Sequence, residues 1–373
     1  MSNLTNNTNK FHLILQTNSP GELAAWVQPI AVLAKQHDPS CVITLCLVPC
    51  QYASGQETAA AAAICEIDHV LTPTQTLAFL VGFKSLPFQS TQGAVLCLGG
   101  DPMYAQLLGW RTGFYSSIYT EQRKKPGLFF KHVFYKHQHG DLMAAHVRLF
   151  TRTKSDVLAQ YNLPDQPYLL FFLGSRPSHF KAFSALFLQM LPFLLQQLPD
   201  LHILLPLAPT LPVHVVEQFK QRCQFDRVHI CQGHSLDFMA VSRAMVSLPG
   251  TNTAEAMYMH LPMLTVVPLN RPDLMVVDGV LGLVGKLPVV GRLIMKLVIR
   301  VLSRQIKFVS LPNKIAQKMI VPQYIKFIIP KDWASVIIDF YCDTANLSTI
   351  KQQLTDIAHD QQTDQAIIAK LLG

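Results

Sequence analysis

Apolar, β-branched runs alternate with helical patterns along almost the whole chain, and that alternation leaves little room for anything but a parallel α/β fold. Phe11–Gln16, Cys41–Val48, His69–Leu71 and Ala94–Leu98 read as strands of a first half. Tyr168–Leu173, His202–Pro206, Val228–Cys231, Ala244–Ser247 and Met263–Val267 read as strands of a second. Between them Asn162–Pro167, with two prolines and polar neighbours, suits a hinge. The expected architecture is two Rossmann-like, doubly wound domains, residues 1–164 and 165–330. Such a pair takes its ligand between the carboxyl ends of the two sheets. The tail, 331–373, reads as two helices (Trp333–Cys342 and Leu347–Leu372) that can pack back on the N-terminal domain.

With 373 residues the chain can bury two cores of ordinary size. Hydrophobic residues make up 50% and charged ones only 14%, which requires a large core, a greasy surface, or both. A formal net charge of +8 fits an anionic partner: nucleic acid, sugar nucleotide or lipid headgroups. Aromatic-interleaved RNA motifs, zinc fingers and basic tails are missing, so nucleic acid is not expected. Met1–Lys10 is polar and Asn-rich, without the apolar stretch of a secretory signal, and the expectation is a cytoplasmic protein. The eight cysteines form no Cys-x-x-Cys pair and read as buried small hydrophobes in a reducing compartment. No segment reads as long and charge-free enough to span a bilayer.

Two segments look membrane-directed. In Gly279–Arg304, Arg292, Lys296, Arg300 and Arg304 recur every four residues and line one side of a helix, with apolar residues filling the other. A cationic face opposite an apolar one suits an anionic lipid interface, and the width of the apolar side favours that over a core helix with a solvated edge. Lys124–His139 interleaves basic residues with Phe129, Phe130, Phe134 and Tyr135, and there both readings stay open.

The chemistry is expected in the turns that follow strands. Leu248–Pro249–Gly250–Thr251–Asn252–Thr253 links a strand to a short helix carrying Glu255. Backbone N–H groups and two Thr hydroxyls at a helix N-terminus favour an anion, and a carboxylate beyond them suits a ribose. A capped βα turn would look much the same. Ser19–Pro20–Gly21–Glu22 opens a helix after the first strand; Gly21 permits close approach and Glu22 can act as base or hydroxyl acceptor. Gly99–Gly100–Asp101–Pro102 puts Asp101 at a strand's carboxyl end, positioned as a general base, as a helix cap, or as both. Gly174–Ser175–Arg176 offers a guanidinium for a diphosphate, or for a salt bridge. Gly233–His234 follows a strand and could line a base pocket. No cluster has metal-ligand spacing, and no Walker or Gly-x-Ser-x-Gly pattern occurs.

In their order and spacing these motifs resemble the lipid-A-disaccharide synthases, glycosyltransferases of the GT-B fold. The likeness is best from about Tyr168 to Tyr324: Gly174–Ser175–Arg176, Leu198–Pro199–Asp200–Leu201 before Ile203–Leu207, Gly250–Thr251–Asn252–Thr253–Ala254–Glu255–Ala256–Met257, and Ser310–Leu311–Pro312–Asn313. It is thinner in the first half, resting on Pro20–Gly21–Glu22, Asp101 and Tyr161–Asn162–Leu163–Pro164. The resemblance implies an inverting, metal-independent transfer from a UDP-sugar to a lipid-linked acceptor at the inner membrane face. It implies Arg176, Thr251, Thr253, Glu255 and Asn313 in the donor site and Asp101 as base. The chain departs from the family at Leu23–Trp26, Pro102–Ala105 and Pro177–His179, mostly on the acceptor side.

The expected function is thus a membrane-peripheral glycosyltransferase that uses a UDP-sugar as substrate and needs no cofactor. Its partners would be a lipid-linked acceptor and an anionic membrane surface, and oligomers are compatible with the sequence. The alternatives are another nucleotide-sugar enzyme on the same fold, such as an epimerase, or a silent lipid- or nucleotide-binding module.

Overall fold

The computed structural model describes residues 9–50, 57–122, 126–127, 129–270, 307–358 and 364–373. The chain divides into two compact units, Met1–Phe150 with Asp360–Gly373, and Thr151–His359.

Unit 1 is built on β1 (His12–Thr17), β2 (Val42–Leu47), β3 (His69–Leu71), β4 (Gly93–Cys97), β5 (Tyr115–Thr120) and β6 (His132–Tyr135). All pairings are parallel, in the order β3-β2-β1-β4-β5-β6. Its helices include α1 (Gln28–His37), α2 (Glu57–Ala62), α3 (Pro73–Leu80), α4 (Pro102–Thr112) and α5 (Leu142–Phe150). Strand alternation splits the core in two. Leu13 and Leu15 of β1 face α1 and the C-terminal helix Asp364–Leu372, while Ile14 faces Phe79 of α3 and Ala105 and Leu108 of α4.

Unit 2 carries β7 (Tyr168–Phe172), β8 (His202–Leu207), β9 (Val228–Gln232), β10 (Ser242–Ser247), β11 (Met263–Pro268) and β12 (Gln323–Lys326), again parallel, in the order β12-β11-β10-β7-β8-β9. Its helices are α6 (Lys154–Gln160), α7 (Pro177–Gln197), α8 (Val213–Arg222), α9 (Ser235–Val241), α10 (Thr251–Tyr258), α11 (Leu311–Ala316), α12 (Pro330–Cys342) and α13 (Thr344–Ile357); α14 (Asp364–Leu372) returns to unit 1. Counted within its own unit, each sheet runs 3-2-1-4-5-6, and the direction of winding reverses between β1 and β4 and between β7 and β10. In such sheets ligands bind where the winding reverses, outside the strands' carboxyl ends.

Several expectations shift. Unit 1 ends at Phe150, so α6 and the Asn162–Pro167 stretch lie inside unit 2 rather than at the boundary. The tail forms three helices: α12 and α13 stay with unit 2, where Trp333 packs fully buried against Phe171 and Phe183, and only α14 joins unit 1. Lys124–His139 contributes the edge strand β6, with Phe134 buried, and the short helix Lys136–His139; Lys124, Lys125 and Leu128 lie outside the described residues. Among the described residues one helix, α7, is long and apolar enough to cross a membrane by composition, against the reading that no segment is. Its Phe180, Phe183, Phe187 and Leu194 are buried in the unit 2 core, which accounts for its hydropathy.

Candidate functional site

At the reversal point of unit 1 the exits of β1 and β4 lie side by side, with Gln16 level with Cys97. The buried Gln16 amide spans both: its Nε2 donates to the carbonyls of Gly99 (2.8 Å) and Asp101 (3.1 Å). The carboxylate of Glu22 accepts from Thr17 Oγ1 at 2.6 Å and from the Asn18 N–H at 3.4 Å. It lies hard against Gly99, where an added Cβ would stand 1.9 Å from Glu22 Oε2, so this position requires glycine for close approach. Ser19 Oγ accepts from the Glu22 N–H, and Gly21 lies in the short helical turn Pro20–Glu22. Leu23–Val27 continue it as one turn of π-helix, a wide turn often found beside sites. Asp101 is exposed and caps α4, its Oδ1 accepting from the Met103 N–H at 2.9 Å. Its other oxygen makes no bond among the described residues. The cap and base readings therefore coexist sterically.

Unit 2 repeats this arrangement, with Ser247 of β10 level with Phe172 of β7. Gly174 has φ +98°, a left-handed backbone that a side chain would strain. It turns the chain so that exposed Ser175 and Arg176 lead into α7, where Arg176 occupies the N-cap position. Alongside, Gly250 caps α10, and Thr251 is exposed at its first turn. Two helix N-termini thus start at adjacent strand ends, a setting suited to an anion.

Four residues expected at the donor site are used differently. Thr253 is buried, and its hydroxyl donates to the Gly250 carbonyl at 2.8 Å. Asn252 Nδ2 donates to Ser247 Oγ at 2.5 Å. Both side chains therefore fasten the turn. Asn313 is fully buried; its Oδ1 accepts from the N–H groups of Ile320 and Val321 and its Nδ2 donates to the Val321 carbonyl. The Ser310–Asn313 motif thus pins α11 to the loop before β12, and its amide has no capacity left for a sugar. Glu255 also points inward, and desolvation pushes its carboxyl up to about 7.

Gly233 and His234, both with positive φ, follow edge strand β9, two strands from the reversal point. The half-exposed His234 ring stands 3.4 Å from Asp237, which also takes two bonds from Arg152 and one from the Tyr161 hydroxyl. That cluster escaped the sequence reading, as did Gln16. The available signal for Gln16 was a polar residue ending an apolar strand. The interface candidates Arg292, Lys296, Arg300 and Arg304 lie outside the described residues.

Residues 141–277 match the family model described as lipid-A-disaccharide synthetase. They take in Gly174–Arg176, Gly233–His234 and Gly250–Glu255, and leave out Ser19–Glu22, Asp101 and Asn313. Lipid-A-disaccharide synthase 2 of Legionella pneumophila (strain Lens) is 28% identical over 175 residues, 46% of this chain and 39% of that protein. The enzyme of Cellvibrio japonicus is 27% identical over 202 residues, 52% of this chain and 45% of its own length. The chain spans about half the length of the curated relatives it matches. Among solved structures, a putative UDP-N-acetylglucosamine 2-epimerase from Listeria monocytogenes superposes with TM-score 0.55 at 12% identity, covering 96% of this chain and 95% of that one. The UDP co-structure of S. aureus MnaA gives 0.54 at 13%, covering 96% and 94%. The fold is GT-B, and the resemblance to the lipid-A-disaccharide synthases is borne out over the matched residues.

Proposed function

We propose that this chain, similar to the lipid-A-disaccharide synthases through most of its second unit, is an inverting glycosyltransferase. It would move a sugar of the N-acetylglucosamine type from a UDP-sugar to a lipid-linked acceptor at the inner face of a membrane. The observation that carries this reading is a coincidence of place. The residues similar to the family include both turns at the unit 2 reversal point, Gly174–Arg176 and Gly250–Thr251.

The chemistry follows from the groups present. A departing nucleoside diphosphate needs positive charge and N–H donors. Arg176 and the first turns of α7 and α10 supply them in unit 2. An acceptor hydroxyl needs a carboxylate to take its proton as it attacks the anomeric carbon, with inversion in that single displacement. Asp101 is the exposed carboxylate at the unit 1 reversal point, and Glu22, held by Thr17, orders the loop beside it. We assign contact with an anionic leaflet to Arg292, Lys296, Arg300 and Arg304, and replacing the first three by Glu should weaken liposome binding.

The test is UDP release from UDP-N-acetylglucosamine in the presence of a lipid extract. Turnover that requires the extract, and that is lost in Arg176→Ala, supports the reading. Conversion of the sugar nucleotide without an acceptor would replace it with an epimerase. A nucleotide-dependent rise in melting temperature without any turnover would replace it with a silent binding module.

A further inference from the structure

The amino ends of β7 and β10 lie side by side in unit 2, and a cavity of about 420 Å³ opens there, lined by Lys154, Asp165, Gln166, Ala240 and Arg243 among others. That volume falls in the range of small-ligand pockets. The cavity is separate from the candidate donor site. The turns at Gly174 and Gly250 follow the opposite, carboxyl ends of the same strands, and from Ser242 to Ser247 β10 runs roughly 16 Å.

Arg243 reaches the cavity wall for a local reason. Ser242 pairs with Tyr168 and Ala244 with Leu169, so Arg243 is the extra residue of a β-bulge and has no partner on β7. A bulge re-aims a side chain that a regular strand would place elsewhere, and bulges recur beside sites. The guanidinium is then held from two sides. It lies 5.2 Å over the Tyr341 ring, and its Nη2 donates to Thr344 Oγ1 at 2.8 Å. The Tyr341 hydroxyl donates in turn to the Pro167 carbonyl at 3.3 Å, which fixes the ring to the chain that enters β7. Asp165, the acid of the lining, is engaged by Lys154 at 2.6 Å, and Arg243 makes no ion pair among the described residues. A guanidinium offers more N–H donors than its one bond to Thr344 uses.

We infer that this cavity is a second ligand site of unit 2, taking a small hydroxylated phosphate monoester with its phosphate on Arg243. A planar guanidinium already fixed in place binds phosphate through paired N–H donors and loses little further freedom. Across the lining, Lys154 and Arg243 face Asp165 alone, and the surplus positive charge suits an anion. The space beyond the phosphate holds an organic body, with the Asp165 carboxylate and the Gln166 amide as partners for its hydroxyls. Substrates of such sheets occupy the carboxyl ends of the strands, so a ligand at the amino ends is an effector rather than a reactant. The inference does not depend on the transferase reading.

The test is titration calorimetry of the full chain in phosphate-free buffer, with glucose 6-phosphate as probe. Saturable binding is expected, tighter than that of inorganic phosphate, with no heat from glucose. Arg243→Gln should weaken it at least about tenfold, and Arg176→Ala should leave it unchanged. Ala240→Phe fills the cavity without removing Arg243 and should abolish binding; it decides the matter if Arg243→Gln loses its packing on Tyr341. Four results would overturn the inference: no saturable heat with glucose 6-phosphate, inorganic phosphate or citrate binding as tightly as the ester, unchanged affinity in Ala240→Phe, or loss of binding in Arg176→Ala, which would put the ligand in the candidate donor site. Failure of UDP release counts against the transferase and leaves this titration standing.

Discussion

At the residue scale, the contact between Gly99 and Glu22 is the most sensitive point of unit 1. A methyl at position 99 would overlap the carboxylate, so either Glu22 or the turn holding Asp101 must move. Gly99→Ala should stay folded, lose about 1–3 kcal/mol in denaturant titrations, and lower UDP release at least tenfold. Glu255 makes a second prediction. Its folded pKa of about 7 lies above the ordinary carboxyl value, so the folded state holds its proton more tightly than the unfolded chain. That contribution is complete below the unfolded value near 4.5, declines as pH rises, and is gone above about 7. Melting curves of wild type and Glu255→Gln should therefore differ in pH dependence between pH 5 and 7 and run parallel above it. Neither effect was legible in the sequence, because a Gly-Gly-Asp string and a Glu four residues into a helix do not say which atoms they meet.

Among the elements, α4 has two tasks at its N-terminus, and substitutions at Asp101 separate them. Asparagine caps a helix about as well as aspartate but cannot take a proton. Asp101→Asn should keep the melting temperature and lose activity by a hundredfold or more. Asp101→Ala should lose activity and also about 1 kcal/mol of stability. Equal turnover in Asp101→Asn would remove the base assignment. The unit 2 turn divides in a similar way. Asn252 and Thr253 hold it together from within, so their alanine variants should lower the melting temperature first, while Arg176→Ala should lose UDP release and leave the fold intact. Motif reading had put all three in the same role, because spacing alone does not distinguish a hydroxyl aimed at a ligand from one aimed at its own helix.

Over the whole molecule, the C-terminal helix is what the linear order hides. Ile367, Ile368 and Leu371 of α14 are buried in the unit 1 core, Asp364 pairs with Arg148 of α5 at 2.6 Å, and Tyr115 donates to the Leu371 carbonyl. Burial of three such side chains is worth about 5–8 kcal/mol, comparable with the whole margin of a domain. Deleting Asp364–Gly373 should therefore destabilise unit 1 selectively. Calorimetry should show its transition falling well below that of unit 2, whose core includes Trp333 and α12.

The sequence by itself determined the α/β class, the parallel sheets and the turns at strand ends, because buried strands write their period and composition locally. It did not reveal β5, β6 or β12: Tyr115–Thr120 is polar and the other two are short edges, held in register by neighbours rather than by their own pattern. Only the tertiary structure decided that two of the turns meet at each winding reversal, that Asn313 and Thr253 face inward, and that α14 completes a unit formed by the other end of the chain. Those outcomes depend on contacts between distant segments, and no local window contains both partners.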